Sequence, residues 1–322
     1  MFKAKPMVIV LVGATASGKT ETAINLAKIT NSEIINADSK QIYKELCIGT
    51  AKPKMLPTSV EMQLIASLQN KIIDEIAHYG FDLCSIGDNF DVAKFLKYFN
   101  ETAKLILSKG KNIILTGGTG FYIDACMHGL ANIPDISPDI KTKVADIISI
   151  NGLDFAVKLL RENDKITKLD EKNSRRVARA LEVYFATNIP LGEWHLKTLK
   201  NDDYNFAVFG LKLDRENLYQ RINQRALKMI DDGMIDEAKF LKILNLTEAE
   251  IKKTGIGYNH LIKFLDDKMT LEQAIELMQQ ETRNYAKRQM TWFNRYKNVQ
   301  WIDSDEKSNQ KIADEIKFKQ SD

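Results

Sequence analysis

The stretch that decides the predicted fold is Gly13-Ala-Thr-Ala-Ser-Gly-Lys-Thr20. It follows the apolar run Met7-Val-Ile-Val-Leu-Val12 and precedes a helical pattern that includes Ala23 and Ala27. A strand, a glycine-rich loop and a helix in this order form the context in which G-x-x-x-x-G-K-[ST] holds phosphate. The motif is typical of nucleotide-binding and ATP-binding proteins, in which backbone N–H groups and the helix N-terminus face the anion.

Two side chains of this loop have expected roles. Lys19 would neutralise phosphate oxygens, and the Thr20 hydroxyl would lie where Mg²⁺ is held. A chance glycine-rich turn is the alternative, and the complete motif behind a strand argues against it. The loop does not identify its ligand, because a diphosphate on any molecule would fit it.

Composition limits the remaining possibilities. The chain has 322 residues, 44% hydrophobic and 28% charged, as in soluble globular proteins of about two domains. We expect no membrane segment, because no apolar run approaches about 18 residues. The net charge of +3 means that any nucleic-acid surface must be local. The cysteines, Cys47, Cys84 and Cys126, are scattered and odd in number, which favours a reducing cytosol over disulfides or zinc.

A second strand, Glu33–Asp38, ends on a carboxylate. In an open parallel sheet, Asp38 would project into the same crevice as the phosphate loop. A helix N-cap is an equally good interpretation of this aspartate. Further on, apolar residues recur every four positions from Val60 to Ile76 and predict an amphipathic helix.

A third strand, Lys111–Thr116, runs into a second glycine-rich turn, Gly117-Gly-Thr-Gly120. Such a turn alone is a weak signal, but in this layout it would line the crevice with Thr119 facing the ligand. No acidic residue ends this strand, whereas a P-loop ATPase normally carries a metal-binding carboxylate there. The loop is therefore expected to hold a diphosphate without hydrolysing a nucleotide.

The segment from Ser137 to about Asn188 is helical in pattern, with Ser137 and Pro138 as N-cap and first residue and Pro190 and Gly192 closing it. We interpret it as an insertion into the α/β core. Three arginines within it form a basic edge that is either a solvated helix face or a set of phosphate contacts. They are Arg175, Arg176 and Arg179.

A fourth strand, Asn205–Asp214, leads into a helix on which Arg221 and Arg225 lie one turn apart. The pair could clamp an anionic leaving group. The alternative is ion pairing with Glu216, Asp231 or Asp232. The last long helix, Leu271–Lys297, mixes basic residues with aromatic ones that are expected to be partly core, and this mixture fits a nucleic-acid surface. The residues are Arg283, Tyr285, Lys287, Arg288, Trp292, Phe293, Arg295, Tyr296 and Lys297.

These patterns predict an α/β fold with a P-loop core, a parallel sheet with helices on both faces, and an inserted all-helical domain. The expected boundaries are 1–130 for the first part of the core, 131–197 for the helical insertion, and 198–322 for the rest of the core with basic C-terminal helices.

Taken together, the motifs resemble the tRNA dimethylallyltransferase family, also called tRNA isopentenyltransferases or IPP transferases. Each is weak alone, but they run in family order over nearly the whole chain. They are Gly13–Thr20, Asp38-Ser-Lys-Gln-Ile-Tyr43, Ile48-Gly-Thr-Ala-Lys-Pro53, Gly117-Gly-Thr119, Arg179-Ala-Leu-Glu-Val183, Gly255-Ile-Gly-Tyr258 and Ala286-Lys-Arg-Gln-Met-Thr-Trp292.

The resemblance implies a cytoplasmic, monomeric enzyme that uses Mg²⁺. It would transfer a dimethylallyl group from dimethylallyl diphosphate to N6 of the adenosine beside the anticodon (position 37), in tRNAs reading codons that begin with U. Its partner would be the anticodon stem-loop of tRNA, which the helical insertion at 131–197 would grip. Asp38 would be the general base, Lys19 and Thr20 would hold the diphosphate and its metal, and Arg225 would bind the diphosphate.

The resemblance also implies a set of tRNA-contacting residues. They are Asp38, Ser39, Lys40, Gln41, Thr119, Lys141, Arg175, Arg176, Arg179, Thr254, Gly255, Ile256, Gly257, Tyr258, Asn259, Arg283, Lys287 and Arg288. The diphosphate would contact Gly13, Ala14, Thr15, Ala16, Ser17, Gly18, Lys19 and Thr20. The chain departs from the family pattern at Thr254, where an arginine is usual.

Three alternatives remain open from the sequence. A P-loop small-molecule kinase also combines this loop with an aspartate after the second strand, but it gives the arginine cluster no role. An adenylate isopentenyltransferase acting on free AMP would not need the helical insertion. A non-catalytic RNA-binding protein would need Asp38 only for its fold.

Overall fold

Seven strands form one sheet in the computed structural model of the protein, which describes residues 5–53, 70–198, 201–304 and 310–315. The strands are β1 (Met7–Gly13), β2 (Ser32–Asn36), β3 (Asn70–Ile73), β4 (Ile76–Tyr79), β5 (Asn112–Thr116), β6 (Asn205–Lys212) and β7 (Gln300–Asp303). Their order across the sheet is β3-β4-β2-β5-β1-β6-β7. All neighbouring pairs are parallel except the β3–β4 hairpin, so the predicted parallel core is confirmed.

The helices fall into three groups along the chain. The first and the last belong to the core, and the middle group lies between α3 and β6. The first core group is α1 (Lys19–Thr30), α2 (Val92–Ser108) and α3 (Gly120–His128). The middle group, between α3 and β6, is α4 (Pro138–Asn151), α5 (Leu153–Asn163), α6 (Ser174–Thr187) and α7 (Leu191–Leu196). The second core group is α8 (Arg215–Asp231), α9 (Met234–Ile243), α10 (Glu248–Thr254), α11 (Tyr258–Leu265) and α12 (Leu271–Phe293).

The central strand β1 is covered on both faces. Ile9 and Leu11 belong to an apolar cluster that includes residues of α1, while the alternate residues Val8 and Val10 are also fully buried. Successive side chains of a strand point to opposite faces, so both faces must be packed. This explains why β1 is an unbroken apolar run, as in other parallel sheets with helices on both faces.

Local sequence determines several helix ends. Gly18 has a φ of 92°, which suits glycine, and it precedes α1. The Asp91 side chain accepts a hydrogen bond from the Lys94 N–H and caps α2. Ser137 caps α4 with Pro138 at the first turn, as predicted. Asn188 ends α6 with a φ of 54°.

Three sequence predictions about this architecture were wrong. Residues 70–76 of the helix predicted for Val60–Ile76 form the β3–β4 hairpin, and its residues 60–69 lie outside the described part of the chain. The turn at Asp74 and Glu75 has positive φ values and reverses the chain, so the spacing between Ile72 and Ile76 was a hairpin pattern. The helical segment does not close at Pro190 and Gly192, because α7 begins at Leu191. The edge strand β7 was missed.

The chain divides into two compact units, Met1–Cys126 with Asp202–Asp322, and Met127–Asn201. The first unit contains the sheet. The second is helical and has its own apolar core, in which Val144, Leu160 and Leu181 are fully buried. The insertion expected at 131–197 falls within this second unit. Within the described residues, no helix is long and apolar enough to cross a membrane, and none of the three cysteines forms a disulfide.

The packing of β6 against β7 generates a first prediction. A Cβ atom on Gly210 would lie 2.4 Å from Cε3 of Trp301, whose ring covers this position. Gly210→Ala should therefore displace the Trp301 ring and lower the free energy of unfolding by about 1–3 kcal/mol, as overpacking usually does. Urea denaturation measures this change. Asn205→Ala, at an exposed position of the same strand, is the control, and equal stability of the two variants would contradict the prediction.

Candidate active site

The loops that follow β1, β2 and β5 meet in one crevice of about 440 Å³ in the sheet-containing unit. Parallel strands bring their carboxyl ends to one edge of the sheet, where ligands of open α/β folds bind. Residues from α8 and α12 and from the loops around Thr50 and Ile256 complete the walls. The charged and polar lining residues are Thr15, Lys19, Thr20, Glu21, Asn36, Asp38, Lys40, Gln41, Thr50, Thr116, Arg221, Arg225, Thr282, Tyr285 and Gln289.

The phosphate loop lies at one end of this crevice. Gly13 and Gly18 have φ values of 152° and 92°, which allow the chain to fold around an anion-sized space. The Lys19 ammonium donates to the Gly13 carbonyl (2.9 Å) and the Ala14 carbonyl (2.6 Å). Thr20 is exposed and lines the crevice. The predicted loop therefore has the local structure expected of a phosphate site.

The protonation of the Lys19 amine would respond to a bound anion. Burial lowers its pKa to about 7, and the nearby Arg225 guanidinium acts in the same direction, opposed by Asp38. A bound diphosphate would reverse this effect, because an anion favours the protonated amine. The loop can therefore gain a full positive charge as its ligand binds.

Asp38 lies in the same crevice, two residues beyond β2. Its carboxylate accepts a hydrogen bond from the Lys40 N–H (2.8 Å), and the segment that follows is a turn. The N-cap interpretation is therefore wrong, since no helix begins there. A Cβ atom on Gly118 would lie 2.8 Å from Asp38 Oδ2, so a side chain at this position would displace the carboxylate.

The second glycine-rich turn packs directly against the Asp38 segment. A Cβ atom on Gly117 would lie 2.3 Å from the Ala37 carbonyl carbon, so the two backbones are in close contact. The Thr119 hydroxyl accepts a hydrogen bond from the Ser39 N–H (2.9 Å). Thr119 thus supports the Asp38 segment, and its predicted contact with tRNA stays a prediction.

The two arginines of α8 both line the crevice. Arg225 donates to the Thr15 hydroxyl of the phosphate loop (2.6 Å), and burial lowers its pKa while Asp38 opposes the shift. Arg221 is exposed. The alternative of ion pairing is weakened because Asp232 pairs with Lys228 (3.9 Å). The arrangement suits an anionic ligand between these arginines and the phosphate loop.

Two site residues on α12 were not predicted. Gln289, only 4% exposed, accepts a hydrogen bond from the Thr15 N–H (2.7 Å) and donates to the Gly118 carbonyl (2.9 Å). Tyr285 donates to the same carbonyl (3.0 Å), and burial and Asp38 raise its pKa. These residues lie four apart on one helical face, inside or next to the stretch Ala286–Trp292. That spacing was the available signal. Trp292 and Tyr296 are half-buried, as predicted.

Several residues predicted to contact tRNA lie at the crevice. Lys40, Gln41, Gly255 and Ile256 line it. Thr254 is 2% exposed, and its hydroxyl donates to the Ile251 carbonyl (2.7 Å). Tyr258 is fully buried and Gly257 beside it is buried, so neither residue offers tRNA an accessible surface in this structure, and their predicted contacts stay predictions. Asn259 is half-buried on α11.

The remaining predicted contacts lie on helix surfaces. In the helical unit, Lys141 on α4 and Arg175, Arg176 and Arg179 on α6 are exposed, and Arg179 also pairs with Glu182 (3.5 Å). On α12, Lys287 and Arg288 are exposed, whereas Arg283 donates to the Asn223 side chain (2.7 Å). The basic edges are real surface features, and their ligand stays a prediction.

The donor atoms of the crevice fit Mg²⁺. The described residues contain no cluster of three His, Cys, Asp or Glu side chains that could enclose a metal. Thr20 and Asp38 offer hard oxygen ligands at the phosphate loop. Mg²⁺ characteristically takes one or two protein oxygens and completes its shell with phosphate oxygens and water. A metal held jointly with a diphosphate is compatible with this donor set.

The fold and site together define a class, the P-loop α/β proteins that bind a phosphorylated ligand beside a carboxylate. Within this class the family model described as IPP transferase matches residues 41–296, and the model described as isopentenyl transferase matches residues 6–74. The chain belongs to the IPP transferase family.

Individual relatives agree with this assignment. A tRNA dimethylallyltransferase of Acetivibrio thermocellus is 38% identical over 97% of this chain and 96% of its own length. A solved structure of a tRNA isopentenylpyrophosphate transferase from Bacillus halodurans is 33% identical, with a TM-score of 0.67 over 98% of this chain and 97% of that chain. A eukaryotic dimethylallyltransferase structure, described as acting on tRNA, is 25% identical, with a TM-score of 0.74 over 97% of this chain and 77% of that chain.

The lowered pKa of Lys19 predicts that diphosphate binding is linked to protonation. Above about pH 7 the free amine is mostly neutral, so binding should take up a proton and the affinity should fall as pH rises. At about pH 6 the amine is already charged and this uptake should vanish. Titration calorimetry in two buffers of different ionisation enthalpy measures the uptake. Lys19→Met is the comparison, and equal uptake by both proteins at about pH 8 would contradict the prediction.

The two hydrogen bonds of Gln289 predict a role in holding the phosphate loop. Gln289→Glu keeps the acceptor for Thr15 but turns an oxygen toward the Gly118 carbonyl. Unpaired buried polar groups cost about 1–3 kcal/mol, so diphosphate binding should weaken by about tenfold or more. Calorimetry provides the measurement. Gln280→Glu, at an exposed position of α12, is the matched control. Equal affinities in the two variants would remove Gln289 from the site.

Proposed function

We propose that this protein is an enzyme that transfers a prenyl group onto tRNA. Membership of the IPP transferase family and full-length similarity to named tRNA dimethylallyltransferases support this coarse assignment. In detail, we propose that it moves a dimethylallyl group from dimethylallyl diphosphate to N6 of the adenosine beside the anticodon, position 37, in tRNAs that read codons beginning with U. Diphosphate is the second product.

The single observation that carries this proposal is the shared crevice of the phosphate loop and Asp38. A phosphorylated ligand at the loop would have its far end directed along the crevice toward that carboxylate. Arg225, bonded to Thr15, lies on the donor side. The crevice therefore offers an anion site and a proton acceptor side by side.

The donor would bind with its diphosphate on the phosphate loop. Backbone N–H groups, Lys19 and Arg225 would stabilise the negative charge that develops as the bond between the allylic carbon and the diphosphate oxygen breaks. An allylic carbon tolerates cationic character, so departure of the leaving group dominates the barrier. Fixed charges and dipoles aimed at a developing anion are the largest contribution in many enzymes.

The acceptor amine needs help of a different kind. The lone pair of the adenine N6 is delocalised into the ring, which makes it a poor nucleophile. As the new C–N bond forms, one N6 proton would pass to the Asp38 carboxylate, and the electron pair of the broken C–O bond leaves with the diphosphate. General base catalysis of this type contributes about 10²–10⁴-fold. The adenine must leave the stack of neighbouring nucleobases to reach a crevice of this shape.

Mg²⁺ is the proposed cofactor, with Thr20 as its protein ligand beside the phosphate loop. When bound, it would neutralise charge on the diphosphate oxygens and so lower the cost of leaving-group departure. This chain's own part is to present the Thr20 hydroxyl in the crevice, at the end of the phosphate loop.

The tRNA would contact basic surfaces outside the crevice. The exposed arginines of α6, namely Arg175, Arg176 and Arg179, suit the phosphate backbone of an anticodon stem, as do Lys287 and Arg288 on α12. The helical unit 127–201 would grip this stem-loop. We further propose that the enzyme works as a monomer. We place it in the cytoplasm, in keeping with three scattered cysteines that form no disulfide in the described part of the chain.

Isotope transfer tests the proposal directly. The protein is incubated with labelled dimethylallyl diphosphate, Mg²⁺ and either tRNA or AMP, and label is counted in the acceptor. We expect label in tRNA and not in AMP. Label in AMP alone would indicate an adenylate isopentenyltransferase. Label in neither, together with ATP turnover, would indicate a small-molecule kinase.

The role of Asp38 is tested by Asp38→Asn, which keeps an acceptor for the Lys40 N–H and removes the base. Label transfer to tRNA should fall by about 10²–10⁴-fold while filter binding of tRNA is retained. The matched control is Asp88→Asn, because Asp88 likewise accepts a backbone hydrogen bond, from Ser85 (2.7 Å), but lies outside the crevice. Unchanged turnover in Asp38→Asn would remove this residue from the mechanism.

A further inference from the structure

A carboxylate outside the crevice binds a loop that lines it. Glu237, on α9, accepts hydrogen bonds from three consecutive backbone N–H groups, those of Cys47 (2.7 Å), Ile48 (2.8 Å) and Gly49 (3.0 Å). Successive N–H groups that converge in this way form a concave anion site. Here a side chain from about 190 positions along the chain occupies it, as the separation from Cys47 shows.

The same carboxylate also binds the first residue of α11, which directly follows the loop at residues 255–257. The Tyr258 hydroxyl donates to Glu237 Oε2 (2.6 Å), and Tyr258 is fully buried. Burial and the neighbouring carboxylate raise the pKa of Tyr258 well above its usual range, so its hydroxyl remains a donor. Glu237 thus accepts four hydrogen bonds, two on each oxygen. An ionised carboxylate has acceptors for all of them.

The two loops are packed tightly around the Tyr258 ring. A Cβ atom on Gly49 would lie 2.5 Å from the Tyr258 hydroxyl and 2.6 Å from Cε of Met234. A Cβ atom on Gly255 would lie 2.8 Å from Cε2 of the same ring. The Tyr258 ring therefore contacts both loops closely, and Glu237 is hydrogen-bonded both to the loop at residues 47–49 and to Tyr258.

These loops form the wall of the crevice that continues to Asp38. Gly49, Thr50 and Ala51 line the crevice, as do Gly255 and Ile256. Gln41 then connects this wall to the Asp38 turn, because its side-chain amide donates to the carbonyls of Thr50 (2.9 Å) and Ala51 (3.0 Å). A continuous set of hydrogen bonds therefore runs from Glu237 to the segment that carries the proposed base.

The phosphate loop is held by different groups. Its Thr15 is bonded to Gln289 and Arg225, and it is flanked directly by β1 and α1. Glu237 makes no hydrogen bond to this loop in the described part of the chain and is not among the residues that line the crevice. A disturbance at Glu237 should therefore reach the Asp38 side before it reaches the phosphate side.

We propose that Glu237 is a positioning residue for one wall of the crevice, which we call the acceptor wall and which is formed by residues 47–51 and 255–258. Glu237 keeps this wall at a fixed position relative to Asp38. The inference rests on the proposed function, since it assigns this wall to the nucleic-acid substrate. Glu237 touches neither substrate. It acts by presenting a preformed wall, so that the acceptor base does not have to order two loops when it enters.

The test variant is Glu237→Gln, which keeps the size of the side chain. Its amide nitrogen is a donor. It would face the N–H groups of Cys47 and Ile48 in one orientation and the Gly49 N–H in the other, so at least one hydrogen bond is replaced by a repulsive contact. We expect kcat/KM for tRNA to fall by about 10-fold to 100-fold, as displacements of about 1 Å commonly cause. The KM for dimethylallyl diphosphate should change by less than about twofold, since the phosphate loop is held separately.

Asp236→Asn is the matched control. Asp236 is the preceding carboxylate on α9, is 77% exposed as a side chain, and pairs only with the surface residue Lys239 (2.8 Å) among the described ion pairs. Both kinetic constants should match the wild type in this variant. Circular dichroism at the assay temperature verifies that each variant is folded.

Tyr258→Phe is the second variant, and it decides the question if Glu237→Gln does not fold. It keeps the ring between Gly49 and Gly255 and removes one of the four hydrogen bonds. A smaller loss that again falls on tRNA alone supports the inference. Unchanged kinetics in the folded variants, or an equal loss for both substrates, would overturn it. If the wild-type protein transfers no label to tRNA, the proposed function itself fails, which is a distinguishable result.

Discussion

The close approach of two backbone segments at the ends of β2 and β5 is the constraint on which the site depends. The Ala37 N–H donates to the Thr116 carbonyl (2.7 Å), and the Thr119 N–H donates to the Ala37 carbonyl (3.1 Å). Gly117 makes this contact possible, because any side chain there would collide with Ala37. The result is that Asp38 leaves the sheet directly opposite Gly118 and beside the phosphate loop. If the two strand ends lay further apart, Asp38 and Gly118 would no longer line the same crevice.

A second set of contacts closes the crevice from elements far along the chain. Gln289 joins the phosphate loop to the Gly118 carbonyl, and Tyr285 supports the same carbonyl from the same helix. The Ser304 hydroxyl, just after β7, donates to the Ser17 carbonyl of the phosphate loop (2.8 Å). On the opposite wall, Glu237 performs the equivalent task. The walls of the crevice are thus held by hydrogen bonds from residues far along the chain.

The electrostatics of the frame follow from burial of like charges. Burial lowers the pKa of both Lys19 and Arg225, the Arg225 guanidinium lowers the pKa of Lys19 further, and Asp38 opposes the shift at both groups. A cluster of two cations and one anion in a confined space is relieved when a further anion enters. The same positive groups would stabilise the negative charge that forms on the proposed diphosphate leaving group. Ligand binding and the proposed reaction would therefore use the same charged residues.

The sequence alone determined the elements whose signals are local. A strand followed by G-x-x-x-x-G-K-T specifies the phosphate loop because each of its residues has a backbone or side-chain task within eight positions. The parallel core, the cap at Ser137 and Pro138, and the presence of Asp38 after the second strand were predictable for the same reason. The family was recognisable because several such motifs occur in order, although each is short.

Tertiary structure decided what depends on distant partners. Sequence periodicity could not distinguish the β3–β4 hairpin from a helix, because apolar residues four apart satisfy both patterns when a turn lies between them. The strand β7 forms because β6 offers it an edge, not because four residues prefer a strand. Gln289 and Glu237 each meet groups more than 180 positions away, as their bonds to Thr15 and Gly49 show. No local pattern encodes such a contact, since its energy exists only once the sheet and the surrounding helices have brought the partners together.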